Sequence, residues 1–111
     1  MSTIFSKIIK RELPATILFE NERLIAIQDV NPLAPVHLLI ITKKQIASLQ
    51  ELQAEDLPLI NEIVSVAQEI AKRFKVEENY RLLTNIGLQA GQTIYHLHFH
   101  LIGGRPLGIM A

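Results

Sequence analysis

Residues 90–104 read AGQTIYHLHFHLIGG and hold three of the chain's four histidines, His96, His98 and His100, at every second position. Successive side chains of a β-strand point to opposite faces, so this spacing predicts a strand with three imidazoles on one face and Leu97, Phe99 and Leu101 on the other. Four histidines scattered at random form such a triplet on the order of 0.2% of the time when counted against a period-2 template. Chance is therefore a poor explanation. The apolar face requires a covering layer, which leaves the imidazoles aligned toward a cleft.

The covering layer is legible upstream. From Ala54 to Phe74, the residues Leu57, Ile60, Ile63, Val64, Ala67, Ile70, Ala71 and Phe74 recur at i, i+3, i+4 and i+7, which predicts one long amphipathic helix. Pro58 is compatible with that helix only in its first turn. A second helix is expected in TIFSKIIKREL, where Ile4, Phe5, Ile8 and Ile9 share a face and Pro14 ends the run. TILFEN and RLIAIQDV are strand-like and separated by an Asn21–Glu22 turn, and NPLAP is a loop fixed by Pro32 and Pro35. VHLLIIT, residues 36–42, is rich in β-branched and aliphatic residues and reads as a buried strand. YRLLTNI and IYHLHFHLI complete the strands, joined through a Gly87–Gly91 loop. Hairpin-like joints around one long helix point to an α+β fold with a mainly antiparallel sheet, in one domain spanning residues 1–111.

Composition narrows the function classes. Apolar residues make up 49% and charged residues 20%, as in a globular protein rather than a disordered one. Eleven basic and eleven acidic residues cancel, which gives no support to a nucleic-acid or membrane-surface footprint. The balance is local, however: no acid follows Glu78, whereas Arg81, Arg105 and the three alternating histidines do. The C-terminal third can therefore accommodate an anion. Cysteine is absent, which excludes disulfides and thiolate metal sites. No apolar run approaches the ~18 residues needed to span a bilayer. The N-terminus shows no signal-peptide pattern, and a cytoplasmic location is expected.

Three readings of the histidines are open at this point. They can be half-exposed strand residues without a shared task. They can be metal ligands, since imidazole binds zinc, copper, iron and nickel. Such sites often add a carboxylate or cysteine; here cysteine is missing and Asp29 would have to come from far along the chain. Or they can be nucleophilic machinery. A neutral imidazole offers one lone-pair nitrogen for attack and one N–H to be oriented, while neighbouring imidazoles can donate to a phosphoryl oxygen as charge develops. Gly87, Gly91, Gly103 and Gly104 would allow close backbone approach to such a group.

HLHFHLI resembles the His-φ-His-φ-His-φ-φ signature of the histidine triad (HIT) family. Its context, GQTIYHLHFHLIGGR, is similar to the branch of nucleotide-binding members that act as purine nucleoside phosphoramidases. The resemblance extends through TIFSKIIKRELPA, ILFEN and QDVNPLAPVHLLIITKK, and so covers nearly the whole chain. It implies the HIT-like fold: about five antiparallel strands with two main helices, dimerising into one continuous sheet through the long helix and an adjoining strand. It also implies a reaction. His98 would attack the α-phosphorus of a nucleotide conjugate, giving a nucleotidyl-histidine that water hydrolyses. His100 would contact the phosphate, His96 would orient the catalytic ring, and His37 stands where the family has its fourth histidine. Thr93 falls where the branch carries a hydroxyl near the leaving group. Asp29 matches the ribose-binding acid; Phe5, Ile8, Ile27, Val30 and Leu39 match apolar positions around the base; Asn85, Gly91 and Gln92 match the phosphate loop. Read alone, His37 is more often a structural strand histidine than a site residue, Asp29 is as readily a turn former as a ligand-binding acid, and the apolar residues are ordinary core.

The departures from the family pattern are equally specific. Some bacterial members hold a structural zinc with two N-terminal cysteines and a histidine; those positions read Thr3, Ser6 and Gln45, so no metal is expected. No cofactor is implied. The family's dinucleoside polyphosphate hydrolases have glutamine in place of Asn85, and its nucleotidylyltransferases have glutamine in place of His100. The animal members' C-terminal tryptophan is missing from RPLGIMA. The resemblance favours hydrolysis of an AMP–amine or GMP–amine conjugate in a homodimer. Dinucleoside polyphosphate hydrolysis and a regulatory nucleotide-binding module are the alternatives.

Overall fold

The structure, a computed structural model, describes residues 2–110. Helix α1 (Ile4–Ile9) leads into strands β1 (Ile17–Glu20), β2 (Leu24–Gln28) and β3 (Val36–Thr42). Helix α2 (Leu57–Arg73) follows, then β4 (Tyr80–Leu83) and β5 (His98–Gly103). The five strands form one sheet in the order β1-β2-β3-β5-β4, antiparallel at each pairing. This is the α+β architecture with two helices that the sequence predicts.

Strand alternation divides the core into two faces. Leu24, Ala26, Leu38, Ile40 and Leu101 pack beneath Ile63, Val66, Ala67, Ile70 and Ala71 of α2, with Phe99 at the margin. The intervening residues Ile25, Ile27, Leu39 and Ile41 face the other way and meet Phe5 and Ile8 of α1. Both faces of β2 and β3 are therefore covered, which explains why LIAI of β2 and LLII of β3 read as unbroken apolar runs. The β3–β5 register places Leu39 opposite His100 and Ile41 opposite His98. Paired residues share a face, so these histidines stand on the side of α1, and Phe99 and Leu101 stand on the side of α2.

Several element ends differ from the sequence reading. The first helix stops at Ile9, well before Pro14, because Lys10 caps it and Arg11 adopts a left-handed backbone with φ 63°. The Arg11 N–H donates to the Ile8 carbonyl and the Glu12 N–H to the Lys7 carbonyl, the paired bonds of a Schellman stop. Of the four apolar residues assigned to its face, Phe5 and Ile8 are buried, Ile9 is partly buried and Ile4 is exposed. Residues Ala54–Asp56 form a 3-10 turn, so α2 begins at Leu57 with Pro58 in its first turn, as that residue's missing N–H demands. Leu57 and Val64 of the assigned stripe are exposed, whereas Val66, not assigned to it, is buried.

The histidine strand is the most consequential difference. It was expected from Ile94 but pairs only from His98. Opposite its first half β3 ends at Thr42, and the chain turns away. Leu97 is held instead by its N–H donating to the Ile46 carbonyl at 2.7 Å. Among the described residues, no helix is long and apolar enough to cross a membrane.

Candidate active site

His96 precedes the regular ladder, and its ring has no exposed surface. Nε2 lies 2.6 Å from the Thr42 carbonyl oxygen, which can only accept, so Nε2 carries the proton. Nδ1, 3.1 Å from the Thr3 hydroxyl, is then the acceptor. That same hydroxyl accepts from the Ser6 N–H in the capping box of α1. His96 thus bolts the start of α1 to the end of β3. Its main-chain carbonyl performs a second task by accepting from His98 Nδ1 at 2.7 Å. His98 is therefore the Nδ1–H tautomer, with its lone pair on Nε2. The edge of Phe5 packs on the His98 ring at 4.9 Å between centroids and on His96 at 6.0 Å, which fixes the ring plane.

A second chain of bonds sets the opposite tautomer at His100. The Leu33 N–H donates to His37 Nδ1 at 3.0 Å, which leaves the proton on His37 Nε2. That Nε2 lies 3.0 Å from His100 Nδ1 and 3.3 Å from Asp29 Oδ2. His100 Nδ1 must accept, so its Nε2 is an N–H donor. The 29–35 loop is steadied by the Asn31 N–H on Asp29 Oδ1 and by Arg105 Nη2 on the Leu33 carbonyl. The His98 and His100 rings are 5.2 Å apart. A lone-pair nitrogen and an N–H donor are thereby set side by side, an arrangement suited to attack on an electrophile whose oxygen gains charge.

Among the described residues, ligand-capable atoms of Asp29, His37 and His100 lie within 4.8 Å of one another. The tautomers oppose a metal there. Coordination through His37 Nε2 would need the lone pair at that atom and a proton on Nδ1, into which the Leu33 N–H already points.

The remaining candidates fall into distinct places. Phe5, Ile8, Ile27 and Leu39 form one buried cluster on the histidine face. Val30 is outside that cluster, 88% exposed, and shares with Asp29, Pro14, Ala15 and Thr16 the lining of a cavity of 590 Å³. Asn85 is half-buried with its side-chain amide against Gly91, where a Cβ would meet Nδ2 at 3.4 Å. Gly91 itself has φ 101°, which glycine adopts without strain. The Gln92 side chain is buried and committed to the loop. Nε2 donates to the carbonyls of Ala47 and Ile94, and Oε1 accepts from the Gly87 N–H. Its side chain braces the loop between Gly87 and Ile94. Thr93 is exposed. Thr3, Thr42 and the Leu33 amide, which set the histidine tautomers, were not singled out for such roles from the sequence. For Thr3 a signal was present in the T-x-x-S capping pattern; the other two act through main-chain atoms that no side-chain pattern reveals.

A five-stranded antiparallel sheet carrying alternating histidines opposite a short N-terminal helix defines the histidine triad class. The family model described as scavenger mRNA decapping enzyme C-terminal binding matches residues 2–107. A HIT-like protein of Synechocystis is 46% identical over 94% of this chain and 91% of its own. The purine nucleoside phosphoramidase of Escherichia coli is 42% identical over 97% of this chain and 92% of its own. A HIT family hydrolase of Clostridium thermocellum superposes with a TM-score of 0.94 at 48% identity, covering 98% of this chain and 96% of that one. The chain belongs to the histidine triad (HIT) family.

Burial sets the protonation of the site. It is the main cause holding His96 and His98 below the ordinary value of 6.5, against the opposing effect of their carbonyl partners. His100 is pushed down to about 4, by burial first and then by its neighbours His98 and His37. Each group binds its proton more weakly when folded, so stability is complete above 6.5 and is lost as pH falls toward the depressed values. Glu20 and Glu62, held below 4.5 by Lys43, Arg11 and Arg23, lose their contribution only at lower pH. Urea denaturation should show stability flat above about pH 7 and declining between about pH 6.5 and 5, with a smaller decline in His100→Gln. Equal stability at both ends of that window would contradict the assignment.

Proposed function

We propose that this protein hydrolyses the P–N bond of purine nucleoside phosphoramidates, of the AMP–amine or GMP–amine type, through a nucleotidyl-histidine. One observation carries the reading. The 2.7 Å bond from His98 Nδ1–H to the His96 carbonyl leaves Nε2 as a lone-pair nitrogen beside the N–H of His100. In the first step the bond from His98 Nε2 to the α-phosphorus forms, the P–N bond breaks, and the amine departs with a proton. His100 Nε2–H donates a hydrogen bond to the phosphoryl oxygen, and the exposed Thr93 hydroxyl passes its proton to the leaving amine while taking one from solvent water. In the second step water attacks the same phosphorus and releases the nucleotide and the free imidazole. Asp29 accepts from the ribose hydroxyls. Phe5, Ile8, Ile27, Val30 and Leu39 contact the base. Asn85, Gly91 and Gln92 belong to the loop that lines the phosphate.

The E. coli phosphoramidase, 42% identical over nearly the whole chain, supports this substrate class over dinucleoside polyphosphates. The same family reading makes the protein a homodimer. Two features support it: β4 lies at the edge of the sheet, and Leu57 and Val64 of α2 are exposed. Light scattering should give twice the 12.5 kDa of one chain, and Val64→Asp should shift that mass toward one chain; a wild-type mass of 12.5 kDa would refute the dimer.

Intact-mass analysis after rapid quenching with an adenosine phosphoramidate tests the mechanism. Wild type should carry one added nucleotidyl group, and His98→Ala should lose both the adduct and turnover by about 10³-fold or more. Unaltered turnover in His98→Ala would refute the mechanism, and a strong preference for a dinucleoside polyphosphate would overturn the substrate class.

A further inference from the structure

The two neighbours of β5 stop at different heights. The β3 ladder reaches His98, paired with Ile41, whereas the β4 ladder ends two residues further on, at Leu83 paired with His100. The strand thus begins at His98 with a backbone partner on one side only. A main-chain carbonyl left unpaired in a half-buried position costs free energy, and a strand end held from one side frays. Here the gap is closed by a side chain. The Thr84 hydroxyl, on the first residue past the end of β4, donates to the main-chain carbonyl of His98 at 2.7 Å. Just upstream, the Leu97 N–H donates to the Ile46 carbonyl at 2.7 Å and the Thr42 N–H meets the Leu97 carbonyl at 3.4 Å, but neither bond reaches the His98 carbonyl.

We infer that Thr84 is a positioning residue for the nucleophile: its hydroxyl fixes the main chain of His98 on the side where the β4 ladder no longer does. Two consequences follow from the geometry. The His98 ring is oriented by Nδ1–H on the carbonyl of His96, two residues back, so it stays aimed only while the backbone from His96 to His98 holds its course. Thr84 also ties His98 to Asn85, the next residue, whose side chain lies against Gly91. The nucleophile and the loop on the other side of the reacting phosphorus are thereby held at a fixed separation. That second consequence rests on the phosphoramidate reading; the first rests on the ring geometry alone.

The test compares Thr84→Val, which keeps the β-branched shape and removes the donor, with Thr84→Ser, which keeps the donor. For an adenosine phosphoramidate, Thr84→Val should lower kcat about 5- to 10-fold with KM within about twofold, and Thr84→Ser should stay within about twofold of wild type. Without substrate, the His98 Nδ1–H proton should exchange with solvent about tenfold faster in Thr84→Val than in wild type or Thr84→Ser, read by NMR on histidine-labelled protein. If Thr84→Val does not fold, Thr84→Ala takes its place in both comparisons. An unchanged kcat together with unchanged exchange in Thr84→Val overturns the inference, as does a Thr84→Ser protein impaired equally with it. Should wild type turn over no phosphoramidate, the substrate reading falls, and the ring-proton exchange alone decides the role of Thr84.

Discussion

The hydrogen bond from His98 Nδ1 to the carbonyl of His96 is the interaction on which the site depends. A single bond between a ring and the main chain two residues earlier fixes which nitrogen keeps its proton, which nitrogen is free, and where the ring points. It also accounts for the spacing of the motif. The ring of His96 is wholly buried between the Thr42 carbonyl and the Thr3 hydroxyl. The first histidine therefore serves the second through both its side chain and its main chain. The third, His100, receives its own proton arrangement from His37 and the Leu33 amide. Alternating histidines on one strand face are thus given unequal states by their surroundings.

The sheet makes those surroundings possible. Strands β2 and β3 are covered on both faces, by α2 beneath and by Phe5 and Ile8 above. The short α1 covers the sheet as far as Phe5, whose edge rests on His98. The histidines lie at that border, dry enough for burial to keep them neutral near pH 7. A neutral imidazole is the form with a lone pair, so the packing that stabilises the fold also leaves His98 with a free ring nitrogen. The cost is instability toward acid, because protonating any of these rings requires a charge in a poorly solvated place.

Much of this was legible in the residues. Period-2 alternation in HLHFH assigned the two faces of the strand, and the 3.6-residue period of the long helix identified most of the layer beneath it. What escaped was set by tertiary partners. No glycine marks the end of α1, because Arg11 takes the left-handed position itself. The histidine strand begins late because β3 ends opposite it, a fact about a segment more than fifty residues away. The Gln92 amide bonds to Ala47, Ile94 and Gly87, partners that sequence spacing does not announce. The roles of His37 and Asp29 came from the family resemblance, since an isolated histidine or aspartate carries no such information. The structure sets both beside His100.

The central claim is that His98 is a neutral imidazole with its lone pair on Nε2, opposite in tautomer to the other three histidines. The most direct measurement is a long-range proton–nitrogen correlation spectrum of histidine-labelled protein near pH 7. It should show His98 protonated at Nδ1, and His37, His96 and His100 protonated at Nε2. A His98 signal protonated at Nε2, or doubly protonated at that pH, would contradict it.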